Sequence, residues 1–499
     1  MNLSIKEITE ACGGKLVLRN GEKDDKHVTS VVIDSRKAEA GSVFVAVAGE
    51  RVDGHRFVSQ VFEAGASLAV VEKTPEQVQQ ETGVDCSGWG SYCLVKETLQ
   101  ALKDMGEYYR KKLPILIVGI TGSVGKTSTK EFIAGVLAQK FQVLKTEGNF
   151  NNEIGVPLTL LRIRENHQAA VVEMGISDFG EMHRLSKMVR PNVCVITNIG
   201  QCHLENLKTR DGILKAKSEI FDFMAEDGEI CLNGEDDKLR GLTEVKGRRP
   251  HFFGLGGNPA EEVTAEKVQS QGLWGSNAVL RLRQRKEAES WQERQAMPEK
   301  TVAENEEEVP VHVPLPGIHM VTNAAAAACV AGLFGLSCQE IVRGIEKIQP
   351  VDGRNHLIRL PGFTLIDDCY NANPASMRAA IDLLAMADTK KVAILGDMFE
   401  LGENSAALHA GVGEYAASAD IDVILCVGEN SRNTFRKAAE HGKGKIQVTH
   451  FPDRETLLKA LDEKPEEYIP KGCTVLIKAS HGMEFVRVLE FLREKGALM

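Results

Sequence analysis

Three α/β units in series are the fold class that this sequence predicts. They are a small N-terminal α/β unit, a central parallel sheet carrying a phosphate loop (P-loop), and a C-terminal Rossmann-like unit. Three observations predict this order. The chain has 499 residues, room for about three domains at ~150 residues each. Short apolar runs alternate with helical patterns along its length, the pattern of parallel sheets covered on both faces. From Ile115 onward the chain reads strand, glycine-rich loop, helix, the context a phosphate loop needs.

The first unit is expected over residues 1–112. "SVFVAVAG" (Ser42 to Gly49) and "ASLAVVE" (Ala66 to Glu72) read as short buried strands. Between them, Val58, Val61 and Phe62 share one helical face. The central unit is expected over 113–348, with strands at Ile115 to Gly119, Ala169 to Met174, Val193 to Thr197 and Glu229 to Leu232. Within it, residues from about 257 to 310 include "RQRKEAESWQERQAMPEKTVAENEEEV", heavily charged and poor in apolar residues. That composition predicts a solvated excursion or mobile loop. A small-residue helix, "PGIHMVTNAAAAACVAGLFG", and a linker, "IQPVDGR", lead to the third unit over 349–499. Its strands are expected at Phe363 to Asp367, Val392 to Gly396, Val423 to Val427 and Thr474 to Lys478, with helices between them.

Composition bounds the partners. The chain is 43% hydrophobic and 26% charged, with a formal net charge of -10. An acidic balance argues against a non-specific nucleic-acid binder, which needs basic patches. It leaves room for an anionic small substrate at a locally positive site. The 11 cysteines include no C-x-x-C pair, so neither a zinc cluster nor a disulfide framework is expected, and the usage fits a reducing cytoplasm. The opening "MNLSIKEITEACGG" lacks the apolar stretch of a signal peptide. No apolar run approaches the ~20 residues that span a bilayer, so no membrane partner is expected.

The candidate chemistry begins at "GITGSVGKTSTK" (Gly119 to Lys130). Gly125, Lys126 and Thr127 fit the end of the pattern G-x-x-x-x-G-K-[ST], yet Ile120 stands where that pattern wants glycine. The glycines fall at 119, 122 and 125. Backbone N–H groups and a helix N-terminus would face the phosphates, Lys126 would add a point charge, and the Thr127 hydroxyl would bind Mg²⁺. The bland alternative is a glycine turn without a ligand. Next, "TEGNFNNEIGVPLTLL" holds Asn149, Asn151 and Asn152 before a helix, where caps and Asx-turns are the plain explanation. Glu173 ends a buried strand beside the loop, a placement suited to Mg²⁺. His203 follows another strand end, where a structural and a functional histidine are both open readings. Lys217, taken alone, reads as a solvated helix residue.

The segments "TGSVGKTST", "GNFNNEIG", "VVEMG", "HLE", "AKSEIF" and "LPGIHMVTNAAAA" resemble the Mur ligase family, as does "IDSRKAEAGSVFVAVAGERVDGHRFV" in the first unit. The resemblance runs along the whole chain, and it accounts for the displaced glycine as that family's own spacing. It implies an ATP-dependent amide ligase working through an acyl phosphate. ATP would be held by Thr121, Gly122, Ser123, Val124, Gly125, Lys126 and Thr127, with Asn323, Arg354 and Asp368 close to it. Two Mg²⁺ ions would be held by Thr127, Glu173, His203 and Lys217, the last as a carbamate. Lys126, Glu173, His203 and Lys217 are the implied catalytic set. Ser35 and Arg36 would meet the UDP end of the substrate, and Asn149, Asn151 and Asn152 would also contact substrate.

In the third unit, "DGR", "DDCYNANPASMRAA" and "LGDMFELG" resemble the branch whose substrates are UDP-MurNAc-tripeptide and D-alanyl-D-alanine. Tyr370, Asn371, Asn373 and Ser376 would line the dipeptide pocket, with turn chemistry as the alternative at Asn373 and Pro374. A monomer is expected. A sibling ligase adding a single amino acid, a folate-polyglutamate relative and a nucleotide-switch module are the competing readings. The last lacks the guanine-reading N-K-x-D motif. Two departures stand out: Met320 where the family usually has Asn, and Lys478-Ala479-Ser480-His481 where it usually has K-G-S-R.

Overall fold

The computed structural model describes residues 1–19, 21–49, 52–258, 260–284 and 305–498. They form three sheets of five, nine and six strands.

In the first sheet the runs Val43–Val45 and Leu68–Val71 are buried along their whole length. They pair in parallel with each other and with Val31–Val32 and Tyr92–Leu94, and Lys15–Val17 closes the far edge antiparallel. Helix Val58–Glu63 buries Val58 and Val61 on this sheet, and Phe62 packs against the same cluster. Helix Thr98–Lys112 joins this body to the next. The Tyr109 hydroxyl donates to the Ile163 carbonyl at 2.7 Å, and Arg110 Nε donates to the Val189 carbonyl at 2.7 Å.

The central sheet is larger than its sequence suggests. Seven strands run parallel, from Val143–Lys145 at one edge to Glu261–Ser270, with the phosphate-loop strand Leu116–Thr121 between Ala169–Glu173 and Val193–Ile196. Two antiparallel strands, Ser276–Gln284 and Asn305–Val313, extend it. The expectation of a solvated excursion over 257–310 is therefore corrected for its described residues, which are largely sheet. Residues 285–304 lie outside the described residues. The reason is periodicity of two. Val263, Ala265, Ala278, Leu280, Leu282, Val311 and Val313 join the core under helix Ile318–Leu333. Charged neighbours such as Arg281 and Glu266 pair at 2.9 Å. A strand with one wet face carries enough charge to resemble a loop when only composition is counted.

The third sheet orders its strands His356–Arg359, Thr364–Asp367, Thr474–Lys478, Lys391–Gly396, Val423–Val427 and Gln447–Phe451, parallel except for the first. The four strands expected from sequence are its interior. The two additional ones are edges with mixed, half-buried side chains, which leave no continuous apolar run to read. The turn between the last parallel and first antiparallel strands of the central sheet touches this third body. The Trp274 ring lies 3.9 Å from the Arg359 guanidinium, and Ser270 Oγ lies 3.9 Å from Met386 Sδ. Among the described residues no helix is long and apolar enough to cross a membrane.

Candidate active site

Strand ends organise the site. In a parallel sheet the loops after each strand gather at the carboxyl edge, where ligands bind. Strand Leu116–Thr121 delivers the loop 122–125, and helix Lys126–Leu137 starts with Gly125 in the left-handed region at φ 83. Gly122 has φ 151, and a Cβ there would sit 1.9 Å from Thr197 Oγ1. The neighbouring strand end braces the loop. Ser123 N donates to the Asn198 carbonyl (3.0 Å), Val124 N donates to Asn198 Oδ1 (3.0 Å), and Thr197 Oγ1 donates to the Val124 carbonyl (2.6 Å). Lys126 Nζ donates to the Gly122 carbonyl at 2.9 Å and lies in a cavity wall. The helix opening at Lys126 presents its first N–H groups, and the positive end of its dipole, to the same space.

Glu173 ends the adjacent strand and is buried. Its Oε1 accepts from Thr127 Oγ1 at 3.2 Å and from Asn151 Nδ2 at 2.9 Å. Its Oε2 is buried without a hydrogen bond and lies 3.9 Å from Lys130 Nζ. A buried carboxylate oxygen in that position has lone pairs free to accept a ligand. His203 follows the strand on the other side, with φ 48. Its Nδ1 comes within 2.6 Å of Glu400 Oε2, an ion-pair approach whose angle makes no hydrogen bond. The His203 imidazole beside Glu400 holds that carboxyl below the usual carboxylate range, against the opposing effect of burial.

The third sheet supplies the facing wall of a cavity of about 1200 Å³. Arg354 Nη2 lies 3.5 Å from Thr127 Oγ1, and the Arg354 guanidinium lies 4.0 Å from the centroid of the Tyr370 ring. Asp368 is buried and paired with Lys478 at 2.6 Å. Burial pushes its carboxyl up, opposed by Lys478 and Arg354. Asn323, from the small-residue helix, accepts from Thr129 Oγ1 at 2.9 Å and also lines the cavity. Met320, at the departure from the family pattern, places Sδ 3.5 Å from Asn323 Nδ2. His481, the second departure, packs its ring 5.5 Å from Tyr370.

Most sequence candidates thus meet around one cavity, though not all in the expected way. Ser123, Val124, Gly125, Asn151, Asn152 and Asn371 line it. Asn152, Asn373 and Ser376 line it while bonded to the backbone of a turn or helix start. Asn152 Oδ1 accepts from Gly155 N at 2.9 Å, and Asn373 and Ser376 form a reciprocal capping box at the helix starting with Pro374. Thr121 and Gly122 lie behind the lining, and Asn149 is outside it. Ser35 and Arg36 belong to the first sheet's body, away from this cavity, and Arg36 is exposed and paired with Asp34 at 2.8 Å. Lys217 is 1% exposed and does not line the cavity, so the reading of it as a solvated residue is corrected. Burial pulls its ammonium down to about 8, with Cys202 opposing and Lys126 adding to the shift. Sequence reasoning missed Glu400 and Lys478 as cavity residues. Both lie just after or at strand ends of the third sheet, which is the one signal that would have found them.

Comparison with known proteins places this geometry. The Mur ligase middle domain model matches residues 120–331, the Mur ligase glutamate ligase domain model matches 353–481, and the Mur ligase family catalytic domain model matches 27–108. The chain is 33% identical over 494 residues to the UDP-N-acetylmuramoyl-tripeptide–D-alanyl-D-alanine ligase of Bacillus subtilis, covering 98% of each. It is 32% identical to the Escherichia coli protein of the same name, covering 99% of each. A crystal structure of MurF from Acinetobacter baumannii superposes with a TM-score of 0.83 at 31% identity, covering 98% of both chains. The MurF ligase of Thermotoga maritima in complex with ADP superposes with a TM-score of 0.74 at 27% identity, covering 93% of this chain and 97% of that one.

Proposed function

The chain belongs to the Mur ligase family, and from that premise we propose that it is the ATP-dependent ligase joining D-alanyl-D-alanine to UDP-N-acetylmuramoyl-tripeptide in peptidoglycan precursor synthesis. One observation carries the reading. A single cavity has the phosphate loop and Glu173 on one wall and the Asp368–Ser376 segment on the other. A triphosphate on the first wall and an amine on the second would then meet a carboxylate between them.

Joining a carboxylate to an amine in water is uphill. Phosphorylating the carboxylate with ATP gives an acyl phosphate and ADP, and attack by the amine gives a tetrahedral intermediate that collapses to amide and phosphate. The first step brings two anions together. Lys126, Arg354 and the N-terminus of helix Lys126–Leu137 supply the positive field that offsets their repulsion. Tyr370 stacks on Arg354 and fixes its guanidinium toward Thr127. Closure of the facing walls would hold the reacting groups in line and exclude water from the acyl phosphate.

We propose that this donor set holds two Mg²⁺ ions. Thr127 and Glu173 would hold one, and Glu173, His203 and Lys217 as its carbamate would hold the other. The buried, hydrogen-bond-free Glu173 Oε2 supports this assignment. So does the amine of Lys217, whose burial leaves a neutral fraction to add CO₂. Bound there, the ions would neutralise phosphate and acyl oxygens. Asn323 and Asp368 we assign to the nucleotide, and Ser35 and Arg36 to the UDP end. We further propose a cytoplasmic monomer organised as units 1–112, 113–348 and 349–499.

The test is product analysis. With ATP, UDP-MurNAc-tripeptide and D-alanyl-D-alanine, the protein should release ADP and phosphate in step with a pentapeptide product. ADP release only with a single amino acid would make it a sibling ligase, and no ADP with any amine would remove the ligase class. Lysine and diaminopimelate tripeptides run side by side would identify the acceptor.

A further inference from the structure

Lys478 is the last residue of a central strand in the third sheet, and it is 2% exposed. An ammonium buried at a strand end is costly, and an apolar side chain of similar length would pack there without that cost. Its contacts show what the charge does. Nζ donates to Asp368 Oδ2 at 2.6 Å and to the Asn371 carbonyl at 2.9 Å, with the Asp368 carbonyl at 3.5 Å. These acceptors bracket one turn, Asp368 to Asn371, and an ammonium has three donors to distribute over it.

Tyr370 lies inside that turn. Its ring is stacked by Arg354 at 4.0 Å, and Arg354 in turn reaches to 3.5 Å from Thr127 Oγ1 on the phosphate loop. Lys478 is therefore three contacts removed from the phosphate loop, along a path crossing from the third sheet to the central one. The same strand end holds a second approach to the cavity. Ser480 Oγ accepts from Phe399 N at 2.8 Å, and Ser480 N donates to the Asp397 carbonyl at 3.0 Å, which fixes the segment carrying Glu400. Glu400 meets His203 on the opposite wall.

Resting on the ligase reading above, we propose that Lys478 is a positioning residue for the reaction: its ammonium sets the Asp368–Asn371 turn, and so the Tyr370–Arg354 pair, against the phosphate loop. The bland alternative is that Lys478 only neutralises Asp368. The two differ in what a different cation does. Arginine keeps the charge, but its planar guanidinium cannot distribute donors over carboxylate and carbonyl as a compact ammonium does.

The experiment compares wild type, Lys478→Met and Lys478→Arg in the full chain. It measures kcat and KM for each substrate, ADP affinity by calorimetry, and thermal unfolding. Both variants are expected to lose about 100-fold in kcat, the scale of a misplacement near 1 Å. ADP affinity should fall much less than kcat, because the loop that binds it is braced mainly from Thr197 and Asn198, with Arg354 and Asp368 the contribution from the third sheet. If Lys478→Met does not fold, Lys478→Arg decides alone. A Lys478→Arg enzyme with kcat within threefold of wild type would overturn the proposal in favour of charge neutralisation. So would failure of both variants to fold, which would make Lys478 a fold residue, or a parallel loss of ADP affinity. A wild-type protein that does not ligate D-alanyl-D-alanine would overturn the ligase reading and the inference with it. Wild-type ligation with unimpaired variants would overturn the inference alone.

Discussion

Replacing Gly122 by alanine tests the phosphate loop at its tightest point. At φ 151 the added Cβ is strained, and such backbone costs about 1–3 kcal/mol. The new methyl would also lie 1.9 Å from Thr197 Oγ1, 3.1 Å from Thr197 Cβ and 3.2 Å from its backbone nitrogen. Thr197 is buried, so it relieves the clash only by rotating its hydroxyl away. That rotation breaks the 2.6 Å bond to the Val124 carbonyl, a loss of about 1–3 kcal/mol for a buried pair. The sum is about 2–6 kcal/mol, charged against the loop conformation that receives phosphate. Since 1.4 kcal/mol is tenfold in affinity, ADP should bind more weakly by about 30-fold at the low end of that sum and about 10⁴-fold at the high end, with far-ultraviolet dichroism unchanged. Gly119→Ala is the contrast. There the Cβ would meet Met174 Sδ at 3.0 Å and Pro191 Cβ at 3.1 Å, a packing problem behind the loop. It should lower the unfolding temperature and leave ADP affinity within threefold. Calorimetric titration of both variants decides, and Gly122→Ala binding ADP as tightly as wild type would refute the reasoning.

Other outcomes follow from the same geometry. Lys126→Ala should lose about 10³-fold in phosphoryl transfer with its fold intact, since among the described residues Lys126 Nζ hydrogen-bonds to the Gly122 carbonyl alone; steady-state ADP release measures it, and normal turnover would end the assigned role. Lys217→Ala should be inactive and partly restored by a short-chain carboxylic acid, and wild type should weaken in bicarbonate-free buffer; full activity without additive would eliminate the carbamate. His251 is buried between Glu229 (3.1 Å) and Glu262 (2.8 Å). Burial alone would lower its pKa, but the two carboxylates outweigh it and raise it from 6.5 to about 10. The folded state therefore holds its proton more tightly, so this stabilisation is complete below pH 6.5 and is lost as pH rises through 10. Denaturant unfolding of wild type should weaken between pH 7 and 10 by roughly 3 kcal/mol more than that of His251→Gln, and parallel profiles for the two would contradict the pairing.

Much of the candidate site was legible because it is local. Strand, glycines, lysine and threonine follow one another within Gly119 to Thr127, and Glu173 and His203 sit just past apolar runs that any short window reveals. What the windows hid was alternation under charge. The strands of 261–313 carry Arg281, Glu306 and Glu308 on one face and Ala278, Leu280 and Val311 in the core, and composition alone registers only the first set. The edge strands His356–Arg359 and Gln447–Phe451 escaped for the same reason. Asn373 had both readings open, and its reciprocal cap with Ser376 shows that turn chemistry engages both side chains at the cavity edge.

By itself, then, the amino-acid order determined the three-unit α/β plan, the phosphate loop with its spaced glycines, and the family to which they belong. These are encoded in periodicity and in the backbone demands of neighbouring residues. Only the tertiary structure decided that Arg354 reaches Thr127 across 227 positions, that Lys478 clamps Asp368 across 110, and that Glu400 faces His203. It also decided that Lys217 is sealed from water. Such meetings depend on strand order and on how one body docks against another. They are set by the summed packing of distant surfaces, which no short stretch of chain contains.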